Sequence, residues 1–260
     1  CMFVSYGTPH EPWRRSNVPA KFYQKFKEVE FPVPANYSDE NDPYGDGWSN
    51  IDKSPQKIEQ WMRNYYAMTA NLDWNVGRIV QTIERAGLAE DTLIVFTSDH
   101  GEMFGAHGRM KKNIFYEEAA RIPMLMRWKG TIPAGTVSDA CLNTPDIMPT
   151  LLGLAKLSKR IPDEVEGKDL SHLVRGRSGP EPEATYLFNT GACAVWQDGH
   201  EWRAVRDKRY TYAVFRGGGS RRLSPAISGS RFRDGFSSAI LFAQRWAILS
   251  YSPPGQAISK

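Results

Sequence analysis

From Ile94 to Lys112 the chain reads IVFTSDHGEMFGAHGRMKK, an apolar run that turns into a loop crowded with Asp99, His100, Glu102, His107, Arg109, Lys111 and Lys112. A carboxylate and an imidazole adjacent in sequence can both reach one cation, Asp as a hard oxygen ligand and neutral His as a nitrogen. In an open α/β sheet, ligands bind beyond the carboxyl ends of the strands, which is where Asp99 and His100 fall. Gly101 behind them reads as the residue that lets the backbone turn sharply. An ammonium at Lys112 could neutralise an anionic group held by such a metal. Taken alone, Asp-His-Gly after a strand reads more readily as an Asx turn with a hydrogen-bonded His, and the charges as a solvated loop.

The elements around this stretch must hold it in place. Ser54-Pro55 reads as an N-cap followed by Pro at the first helical position. Ile58, Trp61, Met62, Tyr65, Thr69, Leu72, Val76, Ile79, Val80 and Ile83 follow at three- and four-residue steps, predicting a helix of about thirty residues ended at Gly87. The run Leu93 to Thr97 suits a parallel strand covered on both faces. Met2–Tyr6 and Pro123–Trp128 read as short strands, and the first of these as buried. Thr144–Leu154 reads as a helix capped by Thr144, and Asp169–Val174 as a short helix. Tyr186–Phe188, 201–207 and 209–215 read as antiparallel strands turning at Asp207-Lys208. Residues 12–54 form a long irregular segment, and such segments in compact domains usually have a job.

Bulk properties exclude several classes. The 260 residues suffice for one large domain, with or without a small appendage. No run of about eighteen apolar residues occurs, so nothing reads as a membrane span. Cys1, Cys141 and Cys193 show neither a disulfide framework nor zinc spacing. The net charge of +4 divides into −1 over residues 1–216 and +5 over 217–260, so the body gives no electrostatic reason to expect nucleic acid. The opening Cys1-Met2-Phe3-Val4-Ser5 is strand-like and carries no signal-peptide pattern, so the chain reads as the later portion of a longer protein.

Thr97-Ser98-Asp99-His100-Gly101-Glu102, then Gly105-Ala106-His107-Gly108, then Lys112, then Tyr116-Glu117-Glu118 with Arg121-Ile122-Pro123 form an ordered, ungapped series. Thr8-Pro9-His10-Glu11-Pro12 precedes it. Thr144-Pro145-Asp146-Ile147-Met148-Pro149-Thr150-Leu151-Leu152, Gly167-Lys168-Asp169-Leu170 and Arg203-Ala204-Val205-Arg206 follow it. Together they resemble the sulfatase family of the alkaline-phosphatase-like superfamily over about residues 1–216.

The resemblance implies an α/β fold, a mixed and mostly parallel sheet flanked by helices with a small antiparallel part after it, incomplete at its N-terminus. It implies a partial catalytic domain over 1–180, an antiparallel hairpin subdomain over 181–216, and a divergent basic tail over 217–260, expected to be poorly ordered. Asp99 and His100 would be metal ligands, and Lys112 and His10 would contact the sulfate. His107 and Glu102 would stand behind them in supporting positions. The metal implied is divalent, calcium being the family's usual one, with manganese or another transition ion admitted by the nitrogen of His100.

Family members are often secreted, periplasmic or lysosomal. They hydrolyse small-molecule or carbohydrate sulfate esters. Trp13, Arg14, Arg15, Phe22, Tyr23, Tyr37, Tyr44 and Trp48 of the 12–54 segment read equally as the lining of a pocket for a sulfated sugar and as packing. The family's nucleophile, a Cys or Ser in Cys/Ser-x-Pro/Ala-x-Arg converted to formylglycine, has no counterpart in this chain, and neither does its Asp pair. The chain by itself is therefore expected to be inactive. A phosphodiesterase or phosphonate monoester hydrolase of the same superfamily, or a non-catalytic fragment, are the other readings of the same residues.

Overall fold

The computed structural model describes residues 1–42, 44, 48–189 and 201–215, together with the backbone of 218–225. It divides into two units, one of Cys1–Leu88 with Glu102–Lys112 and one of Ala89–Gly101 with the chain from Asn113 onward.

In the first unit the periodic stretch forms helix α2 (Pro55–Arg85), preceded by the single turn α1 (Ala20–Tyr23). Ser54 is the N-cap of α2 and Pro55 opens it, but the Ser54 side chain makes no capping bond. The turn is closed instead by Asp52, which accepts from the Ser54 amide. One face of α2 buries Ile58, Ala67, Met68, Leu72 and Val80. Trp13, Phe22, Phe104 and Met110 pack on Ile58, Ala67 and Met68 as one core. Trp13 is anchored at both ends of its contact. Its indole Nε1 donates to the Pro9 carbonyl at 2.8 Å, and Asn64 of α2 donates to the Trp13 carbonyl at 3.0 Å.

The 12–54 segment has a structural job in this unit. Its Asn36, Ser38 and Asp42 run beside the loop 102–112 through His107 N–H to Asn36 O, Ser38 N–H to Gly105 O and Asp42 N–H to Gly108 O. Gly108, at φ +74°, is required there, because an added Cβ would collide with the Glu40 carbonyl. Trp13 and Phe22, both buried in the core, are packing residues.

In the second unit β1 (Ile94–Thr97) pairs with β2 (Met124–Arg127) in antiparallel register, Ile94 opposite Arg127 and Thr97 opposite Met124. This corrects the parallel pairing expected of β1. Parallel neighbours need a crossover, and among the described residues the β1–β2 connection is a loop with the single turn α3 (Glu117–Ala120). All described strand pairs are antiparallel. Met124, Met126, Ile132, Leu154 and Val174 form this unit's core, with Val95 and Trp128 against it.

Helix α4 (Thr144–Leu154) has the expected span, but its N-cap is Asn143 rather than Thr144. The Asn143 side chain accepts from the Thr144 amide at 2.8 Å and Asp146 accepts from the Asn143 amide at 2.8 Å, a capping box. Asp146 and Thr150 then dock the Gly167–Leu170 turn by accepting from the amides of Lys168 and Leu170. That turn leads into α5 (Ser171–Val174). The motif of α4 and the motif of the turn are thus used to join the two segments.

After residue 180 come four antiparallel strands, β3 (Ala184–Asn189), β4 (Trp202–Asp207), β5 (Tyr210–Phe215) and β6 (Gly218–Pro225). The expected hairpin is β4–β5. Within the basic tail the backbone of 218–225 pairs with β5, while 226–260 lie outside the described residues. The strand expected at Met2–Tyr6 does not form. These residues pair with no strand among the described residues, and Met2 and Phe3 are exposed. No helix among the described residues is long and apolar enough to cross a membrane. Replacing Asn143 with Ala removes the side-chain acceptor of the capping box and is expected to cost about 1 kcal/mol, read as a lower denaturation midpoint at unchanged m-value.

Candidate active site

Asp99 and His100 stand directly past the end of β1, in the second unit. Asp99 Oδ1 accepts from the adjacent His100 amide at 3.0 Å, one residue short of the Asx turn that the sequence suggests. Ser98 Oγ donates to the His100 carbonyl at 2.8 Å. The His100 Nδ1 lies 2.7 Å from the Gly101 carbonyl, which places the proton on Nδ1 and the lone pair on Nε2. Nε2 then faces Asp99 Oδ2 at 3.6 Å. The Asp99 side chain is 85% exposed and that of His100 30%. Both border a cleft of about 380 Å³ with Asn113, Asn143 and Trp202 on its walls.

Gly101 serves a different purpose from the sharp turn expected of it. Its amide bonds the Ala119 carbonyl at 2.8 Å, and any Cβ would collide with the Glu118 carbonyl. The glycine therefore lets α3 press against the backbone behind His100. Arg206 of β4 holds α3 in turn, with Nε 2.7 Å and Nη2 3.0 Å from the two carboxylate oxygens of Glu117. This bidentate pairing is the strong form of an arginine–carboxylate contact. Arg206 and Glu117 lie inside sequence motifs, yet nothing in sequence shows that they meet.

His10 and Lys112 meet in the first unit. Lys112 Nζ is 2.8 Å from His10 Nε2, and His10 Nδ1 is 3.0 Å from the Glu11 carbonyl. Both bonds are met by one neutral tautomer, with Nδ1 protonated and Nε2 accepting from the ammonium. The neighbouring Lys111 is mostly buried and ion-paired with Glu11, so its charge is neutralised. The Trp48 ring lies 5.6 Å from the Lys112 ammonium and 5.7 Å from that of Lys111, a cation–π distance. The core contact of Trp13, three residues beyond His10, holds the segment in place.

Glu102 and His107 are in the same unit but outside the His10–Lys112 contact. His107 Nε2 is 2.9 Å from the Asn36 side chain, where it joins the 12–54 segment to the loop. Glu102 Oε1 accepts from the Lys111 amide at 2.6 Å. Burial pushes its carboxyl up to about 7, against the pull of that bond and of the Lys111 and Lys112 charges. Sequence reasoning gave no role to Arg109 or Asp42, a buried pair with Nη1 and Oδ2 2.9 Å apart. Neither stands out in sequence, since Arg109 lies in the charge-crowded loop and Asp42 ends the polar run Ser38-Asp39-Glu40-Asn41-Asp42.

Among the described residues no group of three or more His, Cys, Asp and Glu side chains could hold a metal. Two ligands at right angles on a calcium ion, each about 2.4 Å from it, stand about 3.4 Å apart. The 3.6 Å between Asp99 Oδ2 and His100 Nε2 fits that span, so the pair suits two positions on one divalent cation. The cysteines do not fit a formylglycine site. Cys141 is buried against the Glu183 carbonyl and burial raises its thiol pKa, while Cys1 lacks the surrounding motif. Cys193 lies outside the described residues.

The sulfatase family profile matches residues 1–157, and the profile described as N-sulphoglucosamine sulphohydrolase, C-terminal, matches 105–217. An ulvan-active sulfatase of Formosa agariphila is 34% identical over 216 residues, 81% of this chain and 38% of that protein. A solved Bacteroides fragilis chain described as a candidate sulfatase aligns at TM-score 0.63 and 30% identity, over 84% of this chain and 45% of that one. The phosphonate monoester hydrolase of Agrobacterium radiobacter aligns at TM-score 0.52 and 26% identity, over 67% of this chain and 36% of that one. The chain thus spans less than half the length of each of these proteins.

A native carboxyl that holds its proton more tightly than the unfolded one adds stability in full below its unfolded pKa near 4.5, and that contribution is lost as pH rises through about 7. Glu102→Gln keeps an acceptor for the Lys111 amide and removes the titration. It is expected to raise Tm at about pH 8 relative to wild type and to flatten the fall in Tm between about pH 5 and pH 8. Parallel melting curves for the two proteins would contradict this.

Proposed function

Since this chain belongs to the sulfatase family, with its alkaline-phosphatase-like α/β fold, we propose that it serves metal-dependent hydrolysis of sulfate esters. The observation that carries the reading is the meeting of His10 and Lys112 across 102 positions of sequence. An ammonium beside a neutral imidazole presents one positive charge and N–H donors to an anion. Lys111, offset by Glu11, adds no net charge. One net charge matches the monoanion of a sulfate ester better than the dianion of a phosphate monoester.

In this reading Lys112 holds sulfate oxygens with its remaining N–H donors and offsets charge on the transferring group, while His10 orients the ammonium through Nε2; removal of such a contact typically costs about 10²–10³ in rate. Asp99 and His100 supply two ligands to a divalent cation, calcium by family habit, with manganese admitted by the nitrogen donor. When bound, such a cation would polarise an ester oxygen as a Lewis acid. Gly101 and α3 keep the His100 ring in its tautomer. No Cys/Ser-x-Pro/Ala-x-Arg motif occurs in the chain, so the family's nucleophile is not among its residues. The substrate class is a small-molecule or carbohydrate sulfate ester, by analogy with relatives such as the ulvan-active sulfatase. The likeness to the phosphonate monoester hydrolase favours a second reading, since a phosphonate monoester is also a monoanion.

Purified 1–260 is expected to show no turnover of an aryl sulfate, and robust turnover lost in Lys112→Ala would overturn the assignment of the missing nucleophile. Calcium or manganese at about ten times its Kd is expected to raise Tm by about 3 °C or more, and Asp99→Ala is expected to abolish that shift. A shift of the same size in Asp99→Ala would remove the metal assignment. Paired assays on sulfate and phosphonate esters of one alcohol, with the full gene product, separate the two readings.

A further inference from the structure

We propose that Arg109 is a positioning residue for Lys112, carrying the placement of the 12–54 segment into the anion-holding pair; this rests on reading His10–Lys112 as that pair. The Arg109 side chain is 3% exposed and that of its partner Asp42 0%. Arg109 Nη1 donates to Asp42 Oδ2 at 2.9 Å and Nη2 donates to the Lys112 carbonyl at 3.1 Å. The buried Nε has no bond partner, so these two contacts set the orientation of the fork.

The Lys112 backbone needs such a hold. Lys111 sits at φ +71°, in the left-handed region that L side chains seldom adopt. The Met103 amide donates to the Lys111 carbonyl at 2.9 Å and so holds the peptide that enters Lys112, which leaves the next peptide to be fixed. Glu102 bonds the Lys111 amide on one side and Arg109 bonds the Lys112 carbonyl on the other. A planar guanidinium can serve a carboxylate and a carbonyl at once in fixed geometry, whereas a lysine ammonium on a flexible stem cannot reproduce that fork. Asp42 is itself tied to the loop through its amide, which donates to Gly108 O at 3.1 Å. The guanidinium thus bonds both Asp42 of the segment and the Lys112 carbonyl.

The test compares Arg109→Lys with Val80→Ala, a buried truncation on α2 that lowers stability elsewhere in the same unit. The chain has five histidines, so the ¹⁵N-labelled His10 ring can be assigned readily. Without ligand, its Nε2 shift reports the bond from Lys112. Arg109→Lys is expected to move that shift while Val80→Ala leaves it in place, with both melting below wild type. Inorganic sulfate is then titrated. Arg109→Lys is expected to weaken binding about tenfold, as loss of an outer positioning contact typically does, and Val80→Ala to leave it unchanged.

Equal ligand-free shifts in the two variants would overturn the positioning role. A wild type whose His10 ring does not respond to sulfate would instead overturn the anion-holding reading, leaving the ligand-free comparison to decide Arg109. If Arg109→Lys does not fold, the neutral pair Asp42→Asn with Arg109→Gln carries the same comparison, because the Gln amide nitrogen sits two bonds nearer its own backbone than the Nη atoms that reach the two acceptors.

Discussion

Asp42 and Arg109 are charged side chains with almost no contact with water. Burying such a pair is costly, and removing one partner typically costs about 3–5 kcal/mol because the other is left uncompensated. The first unit cannot separate the loop 102–112 from the irregular segment before α2 without exposing or stranding these charges. Much else follows from that constraint. The strained backbone at Phe104, His107 and Lys111, all at positive φ, persists because surrounding bonds over-determine it. Gly105 and Gly108 stand where the segment comes too close for any side chain.

The chemistry of the chain is organised as two local pairs with different supports. His10 is held through Trp13, whose ring is buried among Trp61, Tyr65 and Phe104 at centroid distances of 4.8–6.2 Å. Lys112 is held through its backbone. Its side chain stays available to bond the imidazole while Lys111 is spent on Glu11. Asp99 and His100 are fixed by short-range bonds among Ser98, Asp99, His100 and Gly101, backed by α3 and its Arg206–Glu117 contact. The proposed cation site therefore pairs a mostly exposed carboxylate with a half-buried imidazole of fixed tautomer.

Much of the fold was legible because its signals are local. Helices 55–85 and 144–154 appear at their predicted spans, since a 3.6-residue apolar period and a Pro at the first turn depend only on nearby residues. The hairpin at 202–215 follows from alternation and an Asp-Lys turn. The misses share a cause. Met2–Tyr6 has strand composition but pairs with no strand among the described residues. The apolar run of β1 suited a parallel partner and received an antiparallel one. Asn143 capped α4 in place of Thr144 because the box also needs the Asn143 amide to reach Asp146. Strand pairing and cap choice are decided by partners that an apolar pattern does not name.

By itself the sequence singled out the residues proposed to carry the chemistry: adjacent Asp99 and His100 after a strand, a lysine twelve residues on, and a histidine in a Pro-rich turn. Adjacency and residue type suffice for that, because two donors one residue apart cannot separate far. Tertiary structure alone decided that His10 meets Lys112, that Arg109 rather than His107 stands behind Lys112, and that Gly101 yields room for α3. These outcomes turn on contacts between residues tens of positions apart, where packing and the need to satisfy buried charge select one partner among several chemically equivalent ones.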